Sequence, residues 1–117
     1  MLIRIMISIR SVALGFGIGV TSCAATAFAQ DAIQAGQKVY TSQKCSVCHS
    51  IGGTGNKKGP LDGIGAKLSA DQIRQWITDA PAMTAKANAT RKPAMKAFTL
   101  PKEELDGLVA YLASLKK

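Results

Sequence analysis

The chain is poor in the residues that acid–base and metal chemistry draw on. Its 117 residues hold one histidine, seven acidic residues and three cysteines. The acids are dispersed along the chain, so no carboxylate constellation suited to general acid–base work stands out. A structural zinc site takes four ligands, and only Cys45, Cys48 and His49 lie together. Strand-rich patterning is also missing, which removes the βαβ setting of a C-x-x-C redox pair. The apolar run Ser11 to Thr21 falls well short of the ~20 residues that a membrane-spanning helix needs.

Against these absences stands one dense constellation, Cys45-Ser46-Val47-Cys48-His49. Two cysteines three apart with a histidine directly after them form the pattern of c-type haem attachment. On one helical turn, residues i and i+3 share a face. Both thiols can then reach the vinyl groups along one porphyrin edge and form thioethers. His49, the only histidine of the chain, can offer an imidazole nitrogen to the iron. A disulfide between the same two cysteines would close a tiny loop and constrain little.

Residues 1–29 read as a secretory signal peptide that is cleaved. Arg4 and Arg10 supply the positive start, and Ala27-Phe28-Ala29 is a small-x-small cleavage site ahead of Gln30. A retained membrane anchor is one alternative. Lipidation at Cys23 is another, because Val20-Thr21-Ser22-Cys23 loosely resembles a lipobox. The expectation is one small domain over 30–117, exported to the periplasm, with no transmembrane segment in the mature chain. So short a chain supports only a small core and usually needs a staple, a role that a covalently bound macrocycle fills. The net charge of +8 drops to +6 once Arg4 and Arg10 are removed. The lysines are scattered and an exported chain seldom meets nucleic acid, so the basic surface points to an acidic protein partner.

Along the mature chain, the pattern predicts a first helix from Asp31 to about Lys44, with Asp31 as N-cap and Gln34 three residues on. Gly36 in mid-helix is costly unless another backbone passes close. Ser50 to Gly65 reads as loop, with glycines too dense for helix or strand. A second helix starts at the Ser69/Gln72 capping box, presents Ile73, Trp76 and Ile77 on one face, and stops before Pro81. Trp76 is a core residue or a contact to the haem edge. Asp79 to Phe98 reads as a second loop. The last helix runs from Leu100 or Pro101 to Leu115, with Gly107 matching Gly36. The first and last helices are expected to cross near Gly36, Tyr40, Gly107 and Tyr111.

With these residues in place the chain resembles the class I cytochromes c of the small bacterial monohaem type. The resemblance rests on the Cys45–His49 motif after an N-terminal helix, on Gly59-Pro60-Leu61, on Met95 in a late loop, and on the closing segment Leu105 to Leu112. It implies an all-α fold of three to five helices wrapped around one covalently attached haem c. It further implies thioethers at Cys45 and Cys48, His49 as the proximal iron ligand, the Pro60 carbonyl holding His49, and a methionine sulfur as the sixth ligand. In the family the axial methionine is often followed by proline; here Lys96 follows Met95 and the proline is Pro93.

Two methionines compete for that place. Counted from Asp79, Met95 has sixteen residues of path and Met83 four. At ~3.3–3.6 Å per residue, the shorter path leaves little slack to round a macrocycle, which favours Met95. The function expected is electron carriage on a His/Met-ligated haem, without enzymatic activity of its own. The alternatives are a cytochrome subunit of a periplasmic dehydrogenase or oxidase, and a haem protein with an open sixth site.

Overall fold

The computed structural model describes residues 24–117. The signal-peptide features Arg4, Arg10 and Cys23 lie outside the described residues. The first helix, α1, spans Ala24–Ser42, so its start lies upstream of the expected Asp31. Asp31 is a helix-interior residue and not an N-cap. Propensity accounts for this: Ala24, Ala25, Ala27, Ala29 and Gln30 are strong helix formers with no breaker among them. The Ala27–Ala29 stretch is exposed on this first part of α1, Phe28 at 75%. The helix closes at Ser42, and Lys44 turns the chain out of it at φ 56°. That left-handed exit is usually taken by glycine, so no residue type announces it here.

The last helix, α5, spans Lys102–Ser114, with Pro101 just outside it and Glu103 and Glu104 in the first turn. It crosses α1 where expected. A Cβ on Gly36 would run into the Gly107 carbonyl and lie 2.6 Å from the Cβ of Tyr111. Beside this contact the rings of Tyr40 and Tyr111 meet edge to face, with centroids 5.9 Å apart and planes at 71°. The core joins Val39 and Tyr40 of α1 to Leu108, Val109 and Leu112 of α5, and a further helix adds Ile73 and Ile77.

Between these helices the chain forms a two-residue ladder, β1 (Ser50–Ile51) with β2 (Thr54–Gly55), and the helices α2 (Ile64–Lys67), α3 (Ala70–Thr78) and α4 (Ala80–Lys86). The capping box of α3 is complete: the Gln72 N–H donates to Ser69 Oγ at 3.2 Å, and the Ser69 N–H donates to Gln72 Oε1 at 2.9 Å. Arg74 ties α3 to α5 through Asp106 at 2.8 Å, and Lys102 meets the same carboxylate at 2.5 Å. The Lys102 and Arg74 hydrogen bonds hold the Asp106 carboxyl below the usual carboxylate range.

Two of the expected loops are thus partly regular. Ser50 pairs with Gly55 and Ile51 with Thr54, across a turn in which Gly52 and Gly53 stand at φ 59° and 78°. Positive φ at both central residues marks the tight hairpin turn whose twist suits the strands. The glycines that argue against regular structure are therefore what makes this ladder possible. In the second loop, Pro81 lies in the first turn of α4. Proline is tolerated there because the missing N–H has no helical partner anyway, so Pro81 opens a helix. Among the described residues no helix is long and apolar enough to cross a membrane.

Candidate haem-attachment site

Leaving Lys44, the chain makes one 3-10 turn, Cys45–Val47. It is closed by the N–H groups of Cys48 and His49, which both donate to the Cys45 carbonyl at 3.1 and 2.9 Å. In 3-10 geometry residues i and i+3 eclipse. Cys45 opens this turn and Cys48 caps it, so the two thiols belong to the two ends of a single turn. Both are free thiols and half-buried. Burial pushes the Cys45 thiol up, the opposite of the depressed pKa that activates a redox cysteine.

Every carbonyl of the pentapeptide is engaged. The Asn56 N–H is shared between the Ser46 and His49 carbonyls at 3.0 Å each, and the Asn56 side-chain amide donates to Val47 at 3.1 Å. The Tyr40 hydroxyl also reaches the His49 carbonyl, at 3.4 Å. Arg91, far along the chain, donates to the Cys48 carbonyl at 2.5 Å. Asn56 is thus a central residue of the site that sequence reasoning missed. The available signal was an Asn in a glycine-rich turn, a residue that bonds local backbone readily.

The His49 ring is held by Nδ1, which lies 3.1 Å from the Gly59 carbonyl oxygen. A carbonyl can only accept, so Nδ1 carries the proton and Nε2 keeps its lone pair, the arrangement typical of a metal-bound histidine. This corrects the expectation for Pro60: the acceptor is one residue earlier. Pro60 pairs with Ser50 in a parallel bridge. The bonds of that bridge run from Ser50 N–H to the Gly59 carbonyl (3.1 Å) and from Leu61 N–H to the Ser50 carbonyl (2.8 Å). Pro60 sits where no N–H is needed, and the carbonyl before it serves His49. Burial lowers the His49 pKa, Arg91 pushes the same way, and the Gly59 hydrogen bond opposes them. The net effect favours the neutral ring that a metal requires.

The other expected residues are spread over the second half. Trp76 is half-buried on α3 but lies outside the core cluster, so it is not the core residue of the simplest reading. Met83 is half-buried within α4. Met95 lies in the irregular run 88–101. In that run only Met95, Phe98 and Leu100 are sheltered; their neighbours are exposed.

The turn, the ring-holding carbonyl and the free Nε2 define a covalent haem protein. A family model described as Cytochrome c matches residues 33–116, most of the chain, and the chain belongs to that family. Membership carries a covalently bound haem c with its iron, and an electron-transfer role. No curated protein and no solved structure matches the chain. The residues present fit the group. They supply two thiols at the ends of one turn and an imidazole with its outer nitrogen free. They also supply large apolar side chains, Leu61, Ile64, Leu68, Phe98 and Leu100, that pack on the core yet stay half-buried.

Proposed function

We propose that the chain is a periplasmic one-electron carrier. Cys45 and Cys48 hold the haem as thioethers, His49 Nε2 is the proximal iron ligand, and the Met95 sulfur is the distal one. The observation that carries this reading is the His49 Nδ1 to Gly59 contact of 3.1 Å, which leaves Nε2 as the ring nitrogen available to a metal. A bound haem would supply the one-electron chemistry, and Cys45, Cys48, His49 and Met95 would hold it in place. His/Met ligation raises the potential of the haem.

Met95 is supported over Met83 by its backbone. Met83 is fixed inside α4, whereas the run around Met95 is tethered on both sides, at Arg91 to Cys48 and at Phe98 N–H to the Ile77 carbonyl (2.8 Å). Trp76, half-open on α3, is suited to contact the haem edge. Export through the signal peptide 1–29 accounts for the location, and an acidic redox protein is the partner.

Met95→Ala tests the assignment. The variant keeps its haem through acid-acetone extraction, shows a lowered potential, and binds carbon monoxide when reduced. An unchanged potential with no carbon monoxide adduct would remove Met95 from the iron.

A further inference from the structure

Arg91 is one of two arginines in residues 30–117; the other, Arg74, is engaged with Asp106. Its neighbours Lys92, Pro93 and Ala94 are exposed, as Arg91 itself largely is. Its guanidinium nevertheless reaches back across 43 residues to the Cys48 carbonyl. It lies against Gly59, where any Cβ would strike both the guanidinium and the Cys48 carbonyl. Gly59 is the residue whose carbonyl holds the His49 ring. One side chain thus touches the attachment turn and the peptide that orients the proximal ring, four residues ahead of Met95.

We propose that Arg91 is a positioning residue for electron transfer: it straps the Met95 segment to the Cys48 carbonyl and fixes a positive charge beside His49 that raises the haem potential. The inference rests on His49 and Met95 as the axial pair. Its physical basis is simple. Oxidation adds one positive charge at the iron, and a fixed cation nearby disfavours that form. Lys92 beside it is exposed, makes no hydrogen bond among the described residues and is screened by water, whereas Arg91 is held by a charge-assisted hydrogen bond. Arginine suits the task because it keeps its charge at any working pH.

The test compares midpoint potentials of the haem-loaded wild type, Arg91→Gln, Arg91→Lys and Lys92→Gln. Glutamine keeps an N–H donor but carries no charge. At a fixed solution potential, Arg91→Gln should shift the ferric-to-ferrous ratio toward ferric by about threefold, the effect of a unit charge over ~25 Å at an effective dielectric near 20. Arg91→Lys should stay close to wild type, and Lys92→Gln should shift less than Arg91→Gln. If Arg91→Gln does not accumulate, phenylglyoxal treatment of the Arg74→Lys holoprotein removes the charge after folding, since Arg91 is then the one arginine left in residues 30–117. The same ratio is read. An unmoved ratio, a fall in Arg91→Lys as large as in Arg91→Gln, or an equal effect from Lys92→Gln would overturn the assignment. Covalent haem is assayed in the same samples. A wild type lacking it overturns the axial reading itself, whereas intact haem with an unmoved potential overturns Arg91 alone.

Discussion

The crossing of α1 and α5 makes an asymmetric demand on its two glycines. Replacing glycine by alanine inside a helix normally stabilises by roughly 1 kcal/mol. At Gly36 the added Cβ would overlap the Gly107 carbonyl and stand 2.6 Å from Tyr111 Cβ. Both obstacles belong to or adjoin helix backbone, so the helices must separate. Overpacking of this kind costs about 1–3 kcal/mol, occasionally more. Separation also weakens the edge-to-face contact of Tyr40 with Tyr111, a pair worth ~0.5–1.5 kcal/mol. With the propensity gain of about 1 kcal/mol subtracted, Gly36→Ala should lose about 0.5–3.5 kcal/mol. For a domain of this size that lowers Tm by roughly 2–28 °C. At Gly107 the added Cβ meets the Gly36 nitrogen at 3.1 Å, the Ala32 oxygen at 3.4 Å and Ala35 Cβ at 3.5 Å. A shift of a few tenths of an ångström admits it, so Gly107→Ala should be near neutral. Thermal unfolding of the haem-loaded variants, followed by far-UV circular dichroism, separates the two. Equal effects, or a stabilised Gly36→Ala, would show that the helices do not meet backbone to backbone at this point.

The loop after the haem motif should answer to Asn56: Asn56→Ala loses the bonds to the Val47 carbonyl and from the Lys58 N–H, worth about 1–2 kcal/mol together, and an unchanged denaturation midpoint would mean that backbone alone holds the loop. Burial pushes the Tyr40 hydroxyl up to about 12 from an ordinary 10.0, so its stabilising contribution is whole below pH 10 and fades as the pH rises toward 12. Tyr40→Phe should flatten that alkaline decline, and parallel stability curves for variant and wild type would contradict it. Electron transfer to an acidic partner should slow as salt rises, because the field of exposed Lys44, Lys57, Lys58, Lys86, Arg91, Lys92 and Lys96 is screened over about 8 Å at physiological ionic strength. Charge reversal at Lys57, Lys92 or Lys96 should slow it more than reversal at Lys117; a salt-independent rate, or an equal effect from Lys117→Glu, rules out a docking face at the loops.

How much of this was legible follows from how local each determinant is. The α3 cap is visible because Ser69 and Gln72 make both bonds within four residues. The crossing is visible because mid-helix glycines have few other uses, and Gly36 and Gly107 each lie one turn from a tyrosine. The exit of α1 is hidden because Lys44 takes a conformation that its residue type does not favour. Pro81 misleads because the same residue that ends one helix can begin the next. The carbonyl that holds His49 is misplaced by one residue because the bridge between Ser50 and Pro60 decides it. That bridge is a register between segments, and no single residue in the loop encodes it. Nothing in the sequence sets Arg91 apart from the other scattered cations; only the fold brings it to Cys48.

The hydrogen bonds of the attachment turn also say how the molecule can pass an electron with little rearrangement. A site keeps its geometry when the groups around it are locked by further hydrogen bonds. Here the Cys45 carbonyl is closed by the turn itself, and those of Ser46, Val47 and His49 by Asn56 and Tyr40. All of these donors are within sixteen residues of Asn56, on the N-terminal side of the fold. The Cys48 carbonyl is the exception, because its donor comes from the run that carries Met95. The other end of that run is pinned to α3 through Phe98 and Ile77. The two halves of the chain that supply the proposed axial ligands are therefore joined at the attachment turn by one charged side chain. Neutral donors would satisfy the same carbonyl. A guanidinium satisfies it and also places a fixed charge next to the ring of His49, the proposed iron ligand, which is why Arg91 is expected to act on the potential more than on the fold.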